Sequence, residues 1–245
     1  MIIAAALRGI PDVRPGDDLA ELLAAAAGSL ADGDVLVVAH KIVSKAEGRV
    51  VDLADVLPGE RALSLAAEHR KDARVVEVIL GETAEVVRSR PGVLICRTHH
   101  GYVCANAGVD ASNAEGGLVL LPSDPDASAR ALRLGLRELT GASPAIVVSD
   151  SFGRAWRVGQ CDVAIGIAGL APVEDWRGRC DAGGRPLDAT LIAIADEAAA
   201  AADLARRKDS REPAILVRGL ERHVTAADGP GAAVLIRARG EDLFA

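Results

Sequence analysis

Apolar positions along the chain follow two rhythms. Short runs rich in β-branched residues, at Val35 to Val38, Val75 to Ile79, Val93 to Ile95, Leu118 to Leu121, Ala145 to Val148, Ala214 to Val217 and Ala233 to Ile236, predict strands. Longer stretches with apolar residues recurring at three or four positions predict helices over Asp18 to Leu30, Arg61 to His69, Ala127 to Thr140 and Ala189 to Arg207. The third of these carries the fullest signals. Asp124 can cap it and Pro125 suits its first position. Leu132, Leu136 and Leu139 form one face, Arg130, Arg133 and Arg137 another, and Gly141 ends it. The alanine run Ala198 to Ala202 is helix-forming sequence. The mixture predicts an α+β fold. No internal repeat, low-complexity linker or charge block divides the chain, so residues 1–245 read as one domain, with two lobes allowed but no boundary marked.

Composition narrows the partners. Half of the 245 residues are apolar, enough for a substantial core without a metal staple or disulfide. That core is aliphatic, because Trp, Tyr and Phe are rare. Tyr102, Phe152, Trp156 and Trp176 all fall in or beside polar segments, where packing anchors and substrate-stacking platforms are both open readings. A formal charge of -7 argues against a nucleic-acid partner, while a local basic cluster can still hold the phosphates of a small ligand. Cys96, Cys104, Cys161 and Cys180 form no C-x-x-C pair and no zinc spacing, which suits reduced thiols in the cytoplasm. The chain opens with the short run Ile2 to Leu7 and no basic leader, and no later stretch is long enough to span a bilayer, so neither secretion nor a membrane partner is expected.

The common nucleotide and hydrolase signatures, G-x-x-x-x-G-K-[ST], G-x-G-x-x-G and G-x-S-x-G, are absent. Three polar segments follow predicted strands instead, where chain ends can present side chains to a cleft. His40 to Arg49 carries lysines able to neutralise phosphate through charge-assisted hydrogen bonds, or simply forms a solvated turn. His100 to Asn113 combines small residues, which allow close backbone approach, with Asp110 and Asn113; Asx turns would account for the same composition. Ser149 to Arg157 sets Asp150 beside Ser151, an oxygen set suited to Mg²⁺ or Mn²⁺, although a lone Asp also serves as a cap or turn residue.

These segments belong to a longer ordered series. It starts with Gly9-Ile10-Pro11 and Gly16-Asp17-Asp18-Leu19 and continues through Lys41-Ile42-Val43-Ser44-Lys45-Ala46-Glu47-Gly48-Arg49 and the stretch from Val103 to Asn113. Leu121-Pro122, Asp124-Pro125-Asp126, Ser149-Asp150, Phe152-Gly153-Arg154, Asp162-Val163-Ala164-Ile165-Gly166, Ala195-Asp196-Glu197 and Val217-Arg218-Gly219 complete it. Taken in this order the series resembles the coenzyme F420:L-glutamate ligase family, the γ-glutamyl ligases that finish a deazaflavin cofactor, over essentially the whole chain.

The resemblance implies a GTP-dependent ligase. GTP phosphorylates the terminal carboxylate of F420-0, and L-glutamate displaces phosphate from the acyl phosphate to give F420-1, with longer γ-glutamyl tails as an extension. It implies Mg²⁺ or Mn²⁺, GTP as co-substrate and K⁺ as a further cation. It assigns metal binding to Asp110, Asp150 and Ser151, and the nucleotide site to Ile10, Pro11, Asp12, Val13, His40, Lys41, Lys45 and Asn113. No catalytic acid or base is assigned. The implied fold is a two-lobed mixed α/β ligase fold with largely antiparallel sheets and an intertwined homodimer. One departure stands out: after the alanine-rich helix, where family members often carry Met-Gly, this chain reads Arg206-Arg207-Lys208. That points to Lys208 as a charge in the nucleotide pocket. His99, beside His100, is expected to be a solvent-exposed turn residue. The competing readings are an amide ligase for a different cofactor precursor and a catalytically silent binding module.

Overall fold

Alternation along the apolar strands decides the layering. The computed structural model describes residues 1–111 and 117–242. In chain order its elements are β1 (Ile3–Ala6), α1 (Leu19–Ala27), β2 (Val35–Ala39), α2 (His40–Ala46), β3 (Val50–Asp52), α3 (Glu60–His69), α4 (Ala73–Gly81), β4 (Thr83–Arg90), β5 (Val93–Thr98), β6 (Val103–Ala105), β7 (Gly117–Val119), α5 (Pro125–Thr140), β8 (Ala145–Arg154), β9 (Arg157–Ala168), β10 (Glu174–Asp175), β11 (Leu191–Ile192), α6 (Ile194–Ala205) and β12 (Ala214–Arg218). The main sheet has five strands in the order β1-β12-β2-β8-β9. Only β2 and β8 run parallel within it; the other neighbours are antiparallel.

Both faces of that sheet are covered. Leu36, Val38, Ile146, Val148 and Leu216 pack with Leu23 of α1 and Leu132 and Leu136 of α5. Their alternates, Val35, Val37, Val147, Ile215 and Val217, pack with Ala195, Ala199 and Ala202 of α6. Burial on both sides explains why the inner strands read as continuous apolar runs rather than alternating ones. The alanine face of α6 has no bulk to hold it away from the strands. A second apolar cluster joins Ala62 and Ala66 of α3 and Val76 and Ile79 of α4 to Leu94 and Cys96 of β5. Strand β5 is central in a three-stranded antiparallel sheet, β4-β5-β6. Two further antiparallel pairs are β3-β7 and β10-β11. The fold is thus mixed α and β with mostly antiparallel sheets, as expected.

Two expected strands take other forms. Val75 to Ile79 lies inside α4, because the Asp72 side chain accepts from Arg74 N and caps a helix there. The resulting turn sets Val76 and Ile79 on the face that meets α3, so helical packing overrides β propensity. Ala233 to Ile236 falls largely in a 3₁₀ turn, Ala232–Leu235. The preceding backbone is drawn down where Asp126 Oδ1 accepts from Ala232 N at 2.9 Å. The helix expected from Ala189 to Arg207 starts only at Ile194, since Leu191 and Ile192 pair with β10. The largest omission is β9, whose first residues are polar and exposed and whose apolar half, Val163 to Ala168, is interrupted by Gly166.

Candidate active site

Sheet topology gathers the site. Because β2 and β8 are parallel and in register, with Ala39 opposite Ser149, the end of β2 and the middle of β8 deliver His40 and Asp150 side by side. Strand β12 runs the other way, so the loop before it reaches the same edge, where Ala39 N donates to Pro213 O at 2.8 Å. Strand β1 is antiparallel to β12 and its end, marked by Leu7 N donating to Ala214 O, sends Ile10 to Val13 there too. The four segments enclose an open cleft of about 710 Å³. The C-terminal end of parallel strands is a common location for ligand sites in α/β sheets.

Nearly all the expected site residues meet here. Ile10, Pro11, Asp12, Val13, His40, Lys41, Lys45, Asp150 and Ser151 all line this one cleft. Asp110 is not among the lining residues, but its Oδ2 is 2.6 Å from Lys41 Nζ. Asn113 lies outside the described residues. The segment His40 to Ala46 is a helix rather than a turn, and places Lys41 and Lys45 one turn apart on one face. His40 is 2 % exposed. Its Nε2 lies 3.3 Å from Asp150 Oδ1 without the alignment of a hydrogen bond. Asp150 Oδ1 accepts from Ser151 N at 2.7 Å, which orients the carboxylate.

A fully buried carboxylate organises the other side of β8. Asp162 of β9, 0 % exposed, sits opposite Ser151. It accepts from Ser149 Oγ at 2.9 Å and Ser151 Oγ at 2.6 Å, and it pairs with the Arg206 guanidinium. A buried charge is tolerable only when paired and hydrogen-bonded, and Asp162 has both. Lys208 Nζ donates to Ser151 Oγ at 2.7 Å and stands 3.5 Å from Asp203 Oδ1. Asp162 and Arg206 escaped sequence reasoning as site residues. The available signal was an acidic residue entering the apolar run Val163 to Ala168, where a carboxylate needs a partner.

The donor chemistry partly suits a divalent cation. A carboxylate such as Asp150 is the hard oxygen ligand that Mg²⁺ and Mn²⁺ take, with water and phosphate completing the shell. Among the described residues no three His, Cys, Asp or Glu side chains gather as a metal-binding group. Ser151 fits less well, since the Lys208 ammonium already stands on it, and Asp110 would have to share its carboxylate with the Lys41 ammonium. The aromatics are chiefly structural. Tyr102 stacks on His100 at 5.7 Å, meets Phe152 edge-on at 6.2 Å and donates to the Ile165 carbonyl. Burial pushes the Tyr102 phenol well above its usual range. Trp156 is 80 % exposed, and Trp176 lies under the Arg179 guanidinium at 5.1 Å. All four cysteines are free thiols, and burial raises that of Cys104 to about 12. His99 is exposed, as expected, and contacts the Gly81 carbonyl. No helix among the described residues is long and apolar enough to cross a membrane.

Comparison with known proteins places the chain in a family. The family model for F420-0:gamma-glutamyl ligase matches residues 9–219. The coenzyme F420:L-glutamate ligase of Methanothermobacter thermautotrophicus is 43 % identical over 244 residues, covering 97 % of this chain and 96 % of that protein. The protein of the same name from Methanopyrus kandleri is 47 % identical over 235 residues, 95 % of this chain and 93 % of the relative. That from Haloarcula marismortui is 46 % identical over 224 residues, 88 % and 86 % of the two chains.

Proposed function

The chain belongs to the F420-0:gamma-glutamyl ligase family, and from that premise we propose that it uses GTP to join L-glutamate to coenzyme F420-0 in the cytoplasm, through an acyl phosphate. The ligase activity follows from membership. GTP, the acyl phosphate and the metal are the finer reading, supported by one observation: the expected phosphate-facing residues converge on a single cleft rich in cations.

In this reading Lys41 and Lys45 of α2, with the basic loop before β12, neutralise the triphosphate, and charge-assisted contacts align the γ-phosphoryl group. The acceptor carboxylate oxygen attacks the γ-phosphorus, the bond to the bridging oxygen breaks, and GDP leaves. The glutamate amine then attacks the acyl carbon, expels inorganic phosphate and loses a proton. Asp110 and Asp150 are the residues that would hold Mg²⁺ or Mn²⁺, with Ser151 beside them. Such an ion, when bound, withdraws charge from the phosphates. Walls built from Ile10 to Val13 would limit water that could hydrolyse the mixed anhydride.

The direct test supplies GTP, Mn²⁺ or Mg²⁺, L-glutamate and F420-0, and follows products by mass spectrometry. A product heavier by one glutamyl unit, with GDP and phosphate formed in step, is expected. GTP left intact with no glutamate added would overturn the proposal. ATP in place of GTP supporting equal turnover would overturn the nucleotide assignment alone.

A further inference from the structure

The loop joining α6 to β12 brings Arg206, Arg207, Lys208 and Arg211 to the cleft, and two of these are fastened to the β8-β9 hairpin. Arg206 is locked onto Asp162. Lys208 is held differently. Its side chain is 71 % exposed, so packing does not force its position, yet its ammonium donates to Ser151 Oγ at 2.7 Å and faces Asp203 at 3.5 Å.

Ser151 is prepared to receive a cation. Its one hydroxyl proton is committed to Asp162 Oδ1 at 2.6 Å, so only oxygen lone pairs remain for the cleft. Asp150, one residue earlier on the same strand, points to the opposite side, as successive strand residues do. It meets His40, whereas Ser151 meets Asp162 and Lys208. The carboxylate and the hydroxyl, though both line the cleft, therefore address different parts of it. A divalent ion on Ser151 would need an oxygen contact of about 2.0–2.1 Å, beside an ammonium already bound to the same oxygen, and the like charges would repel.

We propose that Lys208 is a resident cation of the site: its ammonium supplies at Ser151 the positive charge that a second bound metal ion or K⁺ would otherwise supply to the substrate phosphates. A divalent ion then belongs on the Asp150 side alone. The inference rests on the reading of the cleft as a nucleoside triphosphate site. A lysine suits this role because it is a compact charge on a flexible stem. It can turn from Ser151 to a phosphate oxygen, and it is present at any concentration of free cation.

Lys208→Gln tests the idea, since glutamine keeps a polar end whose amide oxygen can help ligate an ion. Mn²⁺ bound per chain is counted from the free-ion electron paramagnetic resonance signal, with and without GTP. GTP affinity is measured by calorimetry in K⁺ and in tetramethylammonium buffers. Relative to the starting protein, Lys208→Gln should bind about one more Mn²⁺ per chain, or its GTP affinity should become dependent on K⁺ by about tenfold. Adding Ser151→Ala should abolish the gain. Equal Mn²⁺ stoichiometry together with the same indifference to K⁺ in both proteins would overturn the proposal. If the starting protein binds no GTP at all, the nucleotide reading fails, while the Mn²⁺ titration without nucleotide still decides the role of Lys208.

Discussion

At the scale of single residues, charge placement separates function from packing. Asp150 faces the cleft with its carboxylate 17 % exposed, and its backbone and side-chain contacts hold orientation rather than the core. Asp150→Asn keeps size and hydrogen bonding but removes the negative charge. It should lower kcat by a factor on the order of 100 or more while moving unfolding stability by less than about 1 kcal/mol. Steady-state kinetics and chemical denaturation on the same preparation check this, and parallel losses would return Asp150 to a structural role. The segments holding these residues were visible in sequence as polar stretches after apolar strands. Asp162 was not, because its partners, Ser149, Ser151 and Arg206, lie on other strands and loops.

At the scale of elements, two ties to β9 set how helices seat on the sheet. Gly166 lies where α5 begins, and a Cβ built there would stand 2.2 Å from Pro125 O. Gly166→Ala must push the helix start away from the strand, at an expected cost of about 3 kcal/mol, measurable as a lower urea midpoint. On the other face, Asp196 of α6 accepts from Ala164 N at 2.9 Å. Burial raises the Asp196 carboxyl above its ordinary 3.8, partly offset by that hydrogen bond. A raised acid favours the folded state while protonated, and this stabilisation is lost as pH rises through the folded value. Asn keeps an acceptor for Ala164 and never ionises. Asp196→Asn should therefore be the more stable form at pH 7, with the difference vanishing below 3.8; thermal melts at pH 7 and pH 3.5 compare them. The bounds of helix α5 were legible because its cap, proline and terminating glycine are local signals, but its faces were not: Arg133 is buried on Asp228 and the Thr225 carbonyl, while Leu139 is left exposed. Helix α4 and strand β9 were not legible: the first is a strand-like apolar run turned helical by packing on α3, and the second is half polar and half apolar, its place set by pairing with β8.

At the scale of the whole molecule, the 25.2 kDa chain leaves Val158 98 % exposed and Trp156 80 % exposed near the turn between β8 and β9. Family resemblance points to an intertwined homodimer, and apolar side chains at a hairpin tip suit burial against another copy. Light scattering should return about twice the chain mass; a single-chain mass across micromolar concentrations would remove the dimer. The sequence by itself determined the inner strands, the amphipathic helices, the apolar core and the polar segments that carry family likeness, because each is written in local periodicity, caps and residue order. Only the tertiary structure decided that Ile10, Lys45 and Asp150 share a cleft and that Asp162, Arg206 and Lys208 form its far wall. Those meetings depend on which strands pair and in which direction. Pairing is settled by burial on both faces of a sheet, between residues far apart in the chain, and no local pattern records it.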